Sequence, residues 1–331
     1  MGTLVDTKIK SPLFARKQAG GVFTVVNETL TTGNIFYVDS GQTTTGGTTA
    51  SYGRNPDAPF TTIASALAQC TAANGDMIFV MPGHAETLTA AMNLSTAGVS
   101  IIGLGNGDNR PVITLTATAA PAWNIRADDI RISNMKFYAN TTYTTYLMNL
   151  MRIAGGDLLV ENCEFNINRQ MLYAIRAVSG NKVTFKDCVF INTVHDVAGV
   201  AGIKAQHAIL NIGATNLTVK GCRFNDMGAD KAHRWKVCVA GGNVTAVTLV
   251  EDCTFICRGI ATATRTAAAS GEMITAYCRG ISPSSNTALG SIYTPTFQYI
   301  LESYNVAAVN VQGLLAASTS DIRMKTGIVY L

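Results

Sequence analysis

The sequence predicts an all-β chain wound as a parallel coil, and three observations predict it. A short apolar segment recurs five times between residues 130 and 255, each copy carrying a sulfur residue and, two positions later, phenylalanine. All eight prolines stand at or before 121 or at or after 283, leaving 122–282 without one; coils that donate N–H groups to their neighbours exclude proline. Charged residues make up 14% of the 331 positions, against about 25% in an average soluble domain.

The charge balance also excludes function classes. Twenty-five Lys+Arg against 21 Asp+Glu leave a net charge of +4, and no Lys/Arg run exceeds two residues, so the expectation is no nucleic acid. No uncharged stretch has the continuous hydrophobicity of a membrane span, so no membrane is expected either. A monomer of 35.0 kDa exposes roughly 13,000 Å². That is a large surface for so few charges, and other protein is expected to cover part of it.

In chain order, residues 1–34 read as an extended arm. They carry Lys8, Lys10, Phe14, Arg16 and Lys17, a Gly20-Gly21 joint and little periodicity. No apolar core of secretory-signal type is present in this stretch. IFYVDSG (35–41) reads as a strand. A helix is expected over about 61–74, with Ile63, Ala66, Leu67 and Cys70 on one face, Pro59 ahead of it and Asn74-Gly75 ending it. MIFVMPG (77–83), VSIIGLG (99–105) and VITLTA (112–117) follow as short strands closed by turn residues.

The repeat then takes over: IRISNMKF (130–137), LLVENCEF (158–165), VTFKDCVF (183–190), LTVKGCRF (217–224) and TLVEDCTF (248–255). Its sulfur column is Met135, Cys163, Cys188, Cys222 and Cys253; its aromatic column is Phe137, Phe165, Phe190, Phe224 and Phe255. The residue before each sulfur is Asn134, Asn162, Asp187, Gly221 or Asp252, all types that tolerate left-handed backbone angles. Residues two apart share a strand face, so sulfur and ring are expected inside and a permissive corner lies just ahead of them. Outside, Ser133, Glu161, Lys186, Lys220 and Glu251 align, pairing opposite charges at two steps; Lys136 is expected beside Glu164. Burying each Phe contributes about 1.5–3 kcal/mol, whereas a surface ion pair contributes ~0.2–1 kcal/mol. The internal columns therefore decide the fold.

No chemistry-bearing pattern stands out. A calcium site needs several converging oxygens, but Asp187 and Asp252 are separated by Gly221 in the corner column. Paired-acid hydrolysis needs two carboxyls at defined separations; Glu161 with Glu164, and Asp128 with Asp129, are not diagnostic by spacing. His84 reads as a turn or capping residue, and His195-Asp196 lacks a G-x-S-x-G nucleophile. His233, Cys238, Cys253 and Cys257 fit no usual zinc spacing, and GLGNGDNR (103–110) is neither a dinucleotide nor a P-loop signature. Tyr143, Tyr146, Tyr173, Tyr293, Tyr299 and Tyr304 serve equally as carbohydrate platforms or protein interfaces. The expectation is no catalytic, metal or cofactor site, hence no enzyme, and reduced, buried thiols.

The repeat resembles the right-handed parallel β-helix of pectate-lyase-like proteins, which include many tailed-phage virion proteins. NIFYVDSG, GRNPDAPFTTIASALAQC, NGDMIFVMPGHAET and AGVSIIGLGNGDNRPVITL, in that order, are similar to phage proteins in which a helix caps the start of the coil. The resemblance covers roughly 35–260. It implies a right-handed β-helix (solenoid) over 35–285 with an N-terminal capping α-helix, preceded by the arm and followed by strands or an interface segment at 286–331. In function it implies a capsid decoration or cementing protein, assembled in a host cytoplasm onto the virion surface as a homotrimer on the major capsid protein, with the arm as the capsid contact. The alternatives are a tailspike-like β-helix that binds or degrades polysaccharide, and a tail or baseplate component.

Overall fold

The computed structural model describes residues 31, 33–42, 46–115, 123–139, 147–167, 171–193, 207–227, 237–241, 248–258, 281–283, 289–293, 296–300 and 327–330. Strand β1 (Ile35–Val38) precedes helix α1 (Ile63–Leu67). Coils then follow, each visiting three sheets in turn: β2 (Met77–Val80), β3 (Ala85–Leu88), β4 (Met92–Leu94); β5 (Ser100–Gly103), β6 (Val112–Leu115), β7 (Trp123–Ile125); β8 (Arg131–Ser133), β9 (Lys136–Ala139), β10 (Leu147–Ile153). The same cycle continues through β11 (Leu158–Glu161), β12 (Glu164–Ile167), β13 (Met171–Ala177); β14 (Val183–Lys186), β15 (Val189–Asn192), β16 (His207–Asn211); and β17 (Leu217–Lys220), β18 (Arg223–Asp226), β19 (Val237–Gly241). It closes with β20 (Thr248–Glu251), β21 (Thr254–Arg258), β22 (Ile281–Pro283), then β23 (Leu289–Tyr293), β24 (Thr296–Ile300) and β25 (Gly327–Tyr330).

Every pairing between these strands is parallel, in sheets of nine, nine and seven. Sheet I runs β1-β2-β5-β8-β11-β14-β17-β20-β23, sheet II from β3 through β6, β9 and on to β25, and sheet III from β4 to β22. The chain is a parallel β-helix, in the right-handed sense that parallel crossovers take.

The I-to-II corner is built by left-handed residues. Asn134, Asn162, Asp187 and Asp252 have φ of 56°, 53°, 52° and 51°, and Gly221 has 63°. The coil-to-coil ladder passes through the bend: Asn162 N donates to Lys186 O (3.0 Å) and Glu164 N to Met135 O (2.9 Å). The sulfur residue between them accepts through its carbonyl, as Cys163 O does from Val189 N (2.9 Å), but among the described residues its own N–H donates to no neighbouring coil. Register places Pro111 in that column, because Val112 pairs with Lys136, and Lys136 N donates to Pro111 O (2.8 Å). Proline is thus admitted at the one corner position with no donor duty, a refinement of the general exclusion.

Two boundaries differ from expectation. The helix spans Ile63–Leu67 instead of about 61–74, because the Asp76 carboxylate draws Thr71 N to itself at 2.6 Å and Ala73 and Gly75 turn left-handed. Coil pairing also does not stop at 285: β23 pairs with β20, and β24 with β21, where Phe297 stands in register with Phe255. Thr294-Pro295 replaces the Asp-Cys signature there, which hides the coil from a motif search.

Candidate functional site

The interior is a filled column. Phe137, Phe165, Phe190 and Phe224 are at most 2% exposed, with neighbouring rings 5.0, 4.9 and 4.8 Å apart and within 9° of parallel. This is the strand spacing expressed in side chains. Trp123 meets Phe137 edge-on at 5.1 Å. Phe185, from sheet I, meets both Phe165 and Phe190 edge-on at 6.2 Å. The Phe255 backbone continues the register; its side chain lies outside the described residues.

Each corner thiol points at two carbonyls. Cys163 Sγ donates toward Glu161 O (3.3 Å) and Ile132 O (3.8 Å), Cys188 toward Lys186 O (3.3 Å) and Val160 O (3.5 Å), and Cys253 toward Glu251 O (3.2 Å) and Val219 O (3.4 Å). Met135 is equally buried. Burial pushes the Cys163 thiol up to about 12. The adjacent Cys188 thiol, then burial, raises Cys222, and the Cys222 thiol, then burial, raises Cys253. A protonated thiol is neither nucleophile nor ligand. Cys70, Cys163, Cys188, Cys222, Cys238 and Cys253 are all unbridged.

Outside the I-to-II corner lies a cleft of about 530 Å³ lined by Asn106, Gly107, Arg110, Asn134, Asn162, Cys163, Asp187 and Val189. Its acids are tied up differently from the sequence expectation. Glu164 pairs with Arg110 (2.7 Å), not Lys136, which reaches Asp108 (3.5 Å). Glu161, in register with Lys186, is held by Arg131, whose Nε stands 2.9 Å away and whose terminal nitrogen is also bonded. Each guanidinium uses two of its donors: Arg131 directs both to Glu161 Oε1, and Arg110 gives one to Glu164 and the other to Asn162 O (3.2 Å). The Lys220–Glu251 pair forms as aligned, at 3.1 Å. A Cβ at Gly221 would stand 2.3 Å from the Asp187 carboxylate, so any other residue there would make that side chain move. Among the described residues no group of three His, Cys, Asp or Glu could hold a metal, and no helix is long and apolar enough to cross a membrane.

A second polar surface is the outer face of sheet III. Asn124 donates to Asn93 (2.8 Å) and accepts from Arg152 (3.1 Å). Arg176 follows Arg152 in register, and its Nε is buried without a partner. In a parallel column, Tyr173 stacks on His207 at 5.8 Å and 6°. Only Tyr173 of this group was singled out from sequence. The arginines carry no motif and become neighbours through register alone.

At the first coil, the aromatic position is taken by Glu86, in register with Ile113 and hence with Phe137. Its carboxylate accepts Ile63 N (2.9 Å), the first amide of α1. His84 Nδ1 accepts Ser40 N (3.0 Å), so Nε2 carries the proton and donates to Glu86 (3.3 Å). These groups serve the fold, tying β1, α1 and β3 together. The arm residues Lys8, Lys10, Phe14, Arg16 and Lys17, and likewise His195, His233 and Cys278, lie outside the described residues.

No protein-family model matches the chain, and no curated protein matches it. Among solved structures, pectin methylesterase in complex with hexasaccharide VII, and a mutant of pectin methylesterase in complex with hexasaccharide IV, each match with a TM-score of 0.41 and 11% identity, covering 80% of this chain and 90% of theirs. The sequence expectation of a non-enzyme is corrected at this point. Both matching structures are of an enzyme, so absence of a catalytic motif from this sequence does not exclude catalysis, and at 11% identity no activity passes to this chain either.

Proposed function

We propose that the chain is a structural subunit of a tailed-bacteriophage virion, a capsid decoration or cementing protein that binds the major capsid protein as a homotrimer. The observation that carries this reading is the make-up of the outer faces. On sheet II, Val112, Tyr138, Val189 and Ile191 point away from the core and stay half-buried, as do Ile102, Leu159 and Leu249 on sheet I. Apolar columns along a weakly charged rod suit lateral packing against sister subunits and a shell. Quantitative mass spectrometry of purified virions tests it. Hundreds of copies per particle support the capsid role, a handful moves the protein to the tail, and absence from particles ends the reading.

A second reading is favoured by the outer face of sheet III, where Arg152 and Arg176 lie beside the Tyr173–His207 stack. Guanidinium forks and flat rings suit an anionic surface polysaccharide. Calorimetric titration with host capsular polysaccharide, comparing the native chain with Arg176→Ala, separates this reading from the first. Saturable binding that the substitution weakens at least tenfold supports it.

A further inference from the structure

Strand β2 is buried on both faces, and only one of them is the core. Ile78 and Val80 point inward and join the main apolar cluster. Met77 and Phe79 point the other way, yet are 2% and 4% exposed. Beside them in register stand Ile35 and Tyr37 on β1 and Ile102 on β5, and Tyr37 stacks on Phe79 at 6.0 Å. One coil further on, the same two columns turn polar, at Arg131 and at Ser133 followed by Glu161. The outer face of sheet I thus carries a contiguous apolar patch on its first three strands, broken by Ser100 and Arg131 in one column and by Ser133 in the other before Leu159 and Leu249 appear farther along.

We propose that residues 22–30 of the same chain, VFTVVNETL, dock on this patch. Four observations favour that occupant. The chain enters beside the patch, since Thr31 Oγ1 donates to Gly75 O, Gly33 N to Thr31 Oγ1 (3.0 Å) and Asn34 N to Asp76 Oδ1 (2.6 Å). The distance fits: Phe79 lies four residues along an extended strand from Gly75, about 13 Å, and the five residues from 26 to 31 span up to about 17 Å. The composition fits too, with Val22, Phe23, Val25 and Val26 forming a β-branched and aromatic run. Finally, the free edge of β1 is already taken: Tyr37 N donates to Gly53 O (2.7 Å), Phe60 N to Tyr37 O (2.8 Å) and Asp39 N to Phe60 O (2.8 Å). The run cannot add as an edge strand, which leaves the face.

The segment preceding β1 is then a strap of the β-helix, and the cationic set at Lys8, Lys10, Arg16 and Lys17 lies beyond it. Photo-crosslinking of the full-length chain tests this, with p-benzoylphenylalanine replacing Phe79 and mixed isotope-labelled and unlabelled protein. Crosslinks to peptides of 22–30 within one isotopic form are expected. Crosslinks to another copy, or none to 22–30, overturn the proposal. Should that variant not fold, hydrogen exchange on native protein and Phe79→Ala reads the same contact. Amides 23–29 are expected to exchange at least tenfold faster in the variant, and equal rates overturn the proposal.

Discussion

Phe190 lies between Phe165 and Phe224 with rings 4.9 and 4.8 Å away and is fully buried. Neighbours bonded into their own coils cannot collapse into the space its removal leaves. Phe190→Ala is therefore expected to cost about 3–5 kcal/mol, read from urea unfolding, and a loss below about 1 kcal/mol would contradict a closed column. Asp76 makes a different prediction. Burial alone would raise its carboxyl, but hydrogen bonds from Thr71 N, Asn34 N and Asn74 Nδ2, each 2.6 Å, outweigh that and hold it below the usual range. A depressed carboxyl stabilises the fold above its unfolded value of about 3.9, and the contribution is lost as pH falls through the lower folded value. Asp76→Asn is expected to lower Tm by a constant amount between pH 7 and about 5, with the gap closing below about pH 3.9. Differential scanning fluorimetry across pH checks this, and a gap that widens in acid would be incompatible.

The I-to-II corner separates backbone from side-chain contributions because the Asn162 side chain is exposed while its φ is 53°. Asn162→Ala is expected to cost about 1–2 kcal/mol from the left-handed conformation alone, and Asn162→Gly a few tenths. Equal losses would place the role in the side chain. These corners were legible in sequence since the left-handed backbone favours Asn, Asp and Gly, and the ring column was legible because Phe recurs at fixed offset from it. Sheet III was not. Its strands bury adjacent residues such as Leu150 and Met151, which erases the period-two alternation, and connections of varying length precede them. The partners of Glu161 and Glu164 were misread for a related reason: sequence alignment shows who stands one coil away, but arginines at 131 and 110 reach across rows.

As a whole, the molecule is quasi-one-dimensional, each coil touching mainly its neighbours, so its thiols report on the integrity of the stack. In native protein, Cys163, Cys188, Cys222 and Cys253, at most 1% exposed, are expected to resist iodoacetamide. After denaturation they should react in full, as peptide mass spectrometry would show. Selective labelling of Cys253 in native protein would mean that the coils open from that side. The outer faces, by contrast, could not be assigned a partner from composition alone. Low charge names no partner, and register was needed to find the arginine pair and the patch on β2. The acid at residue 86 has a consequence at this scale. A column that passes from its rings through Ile113 to a hydrogen-bonded carboxyl offers a second molecule no ring to continue, so the edge at β3 is a poor seed for head-to-tail fibres.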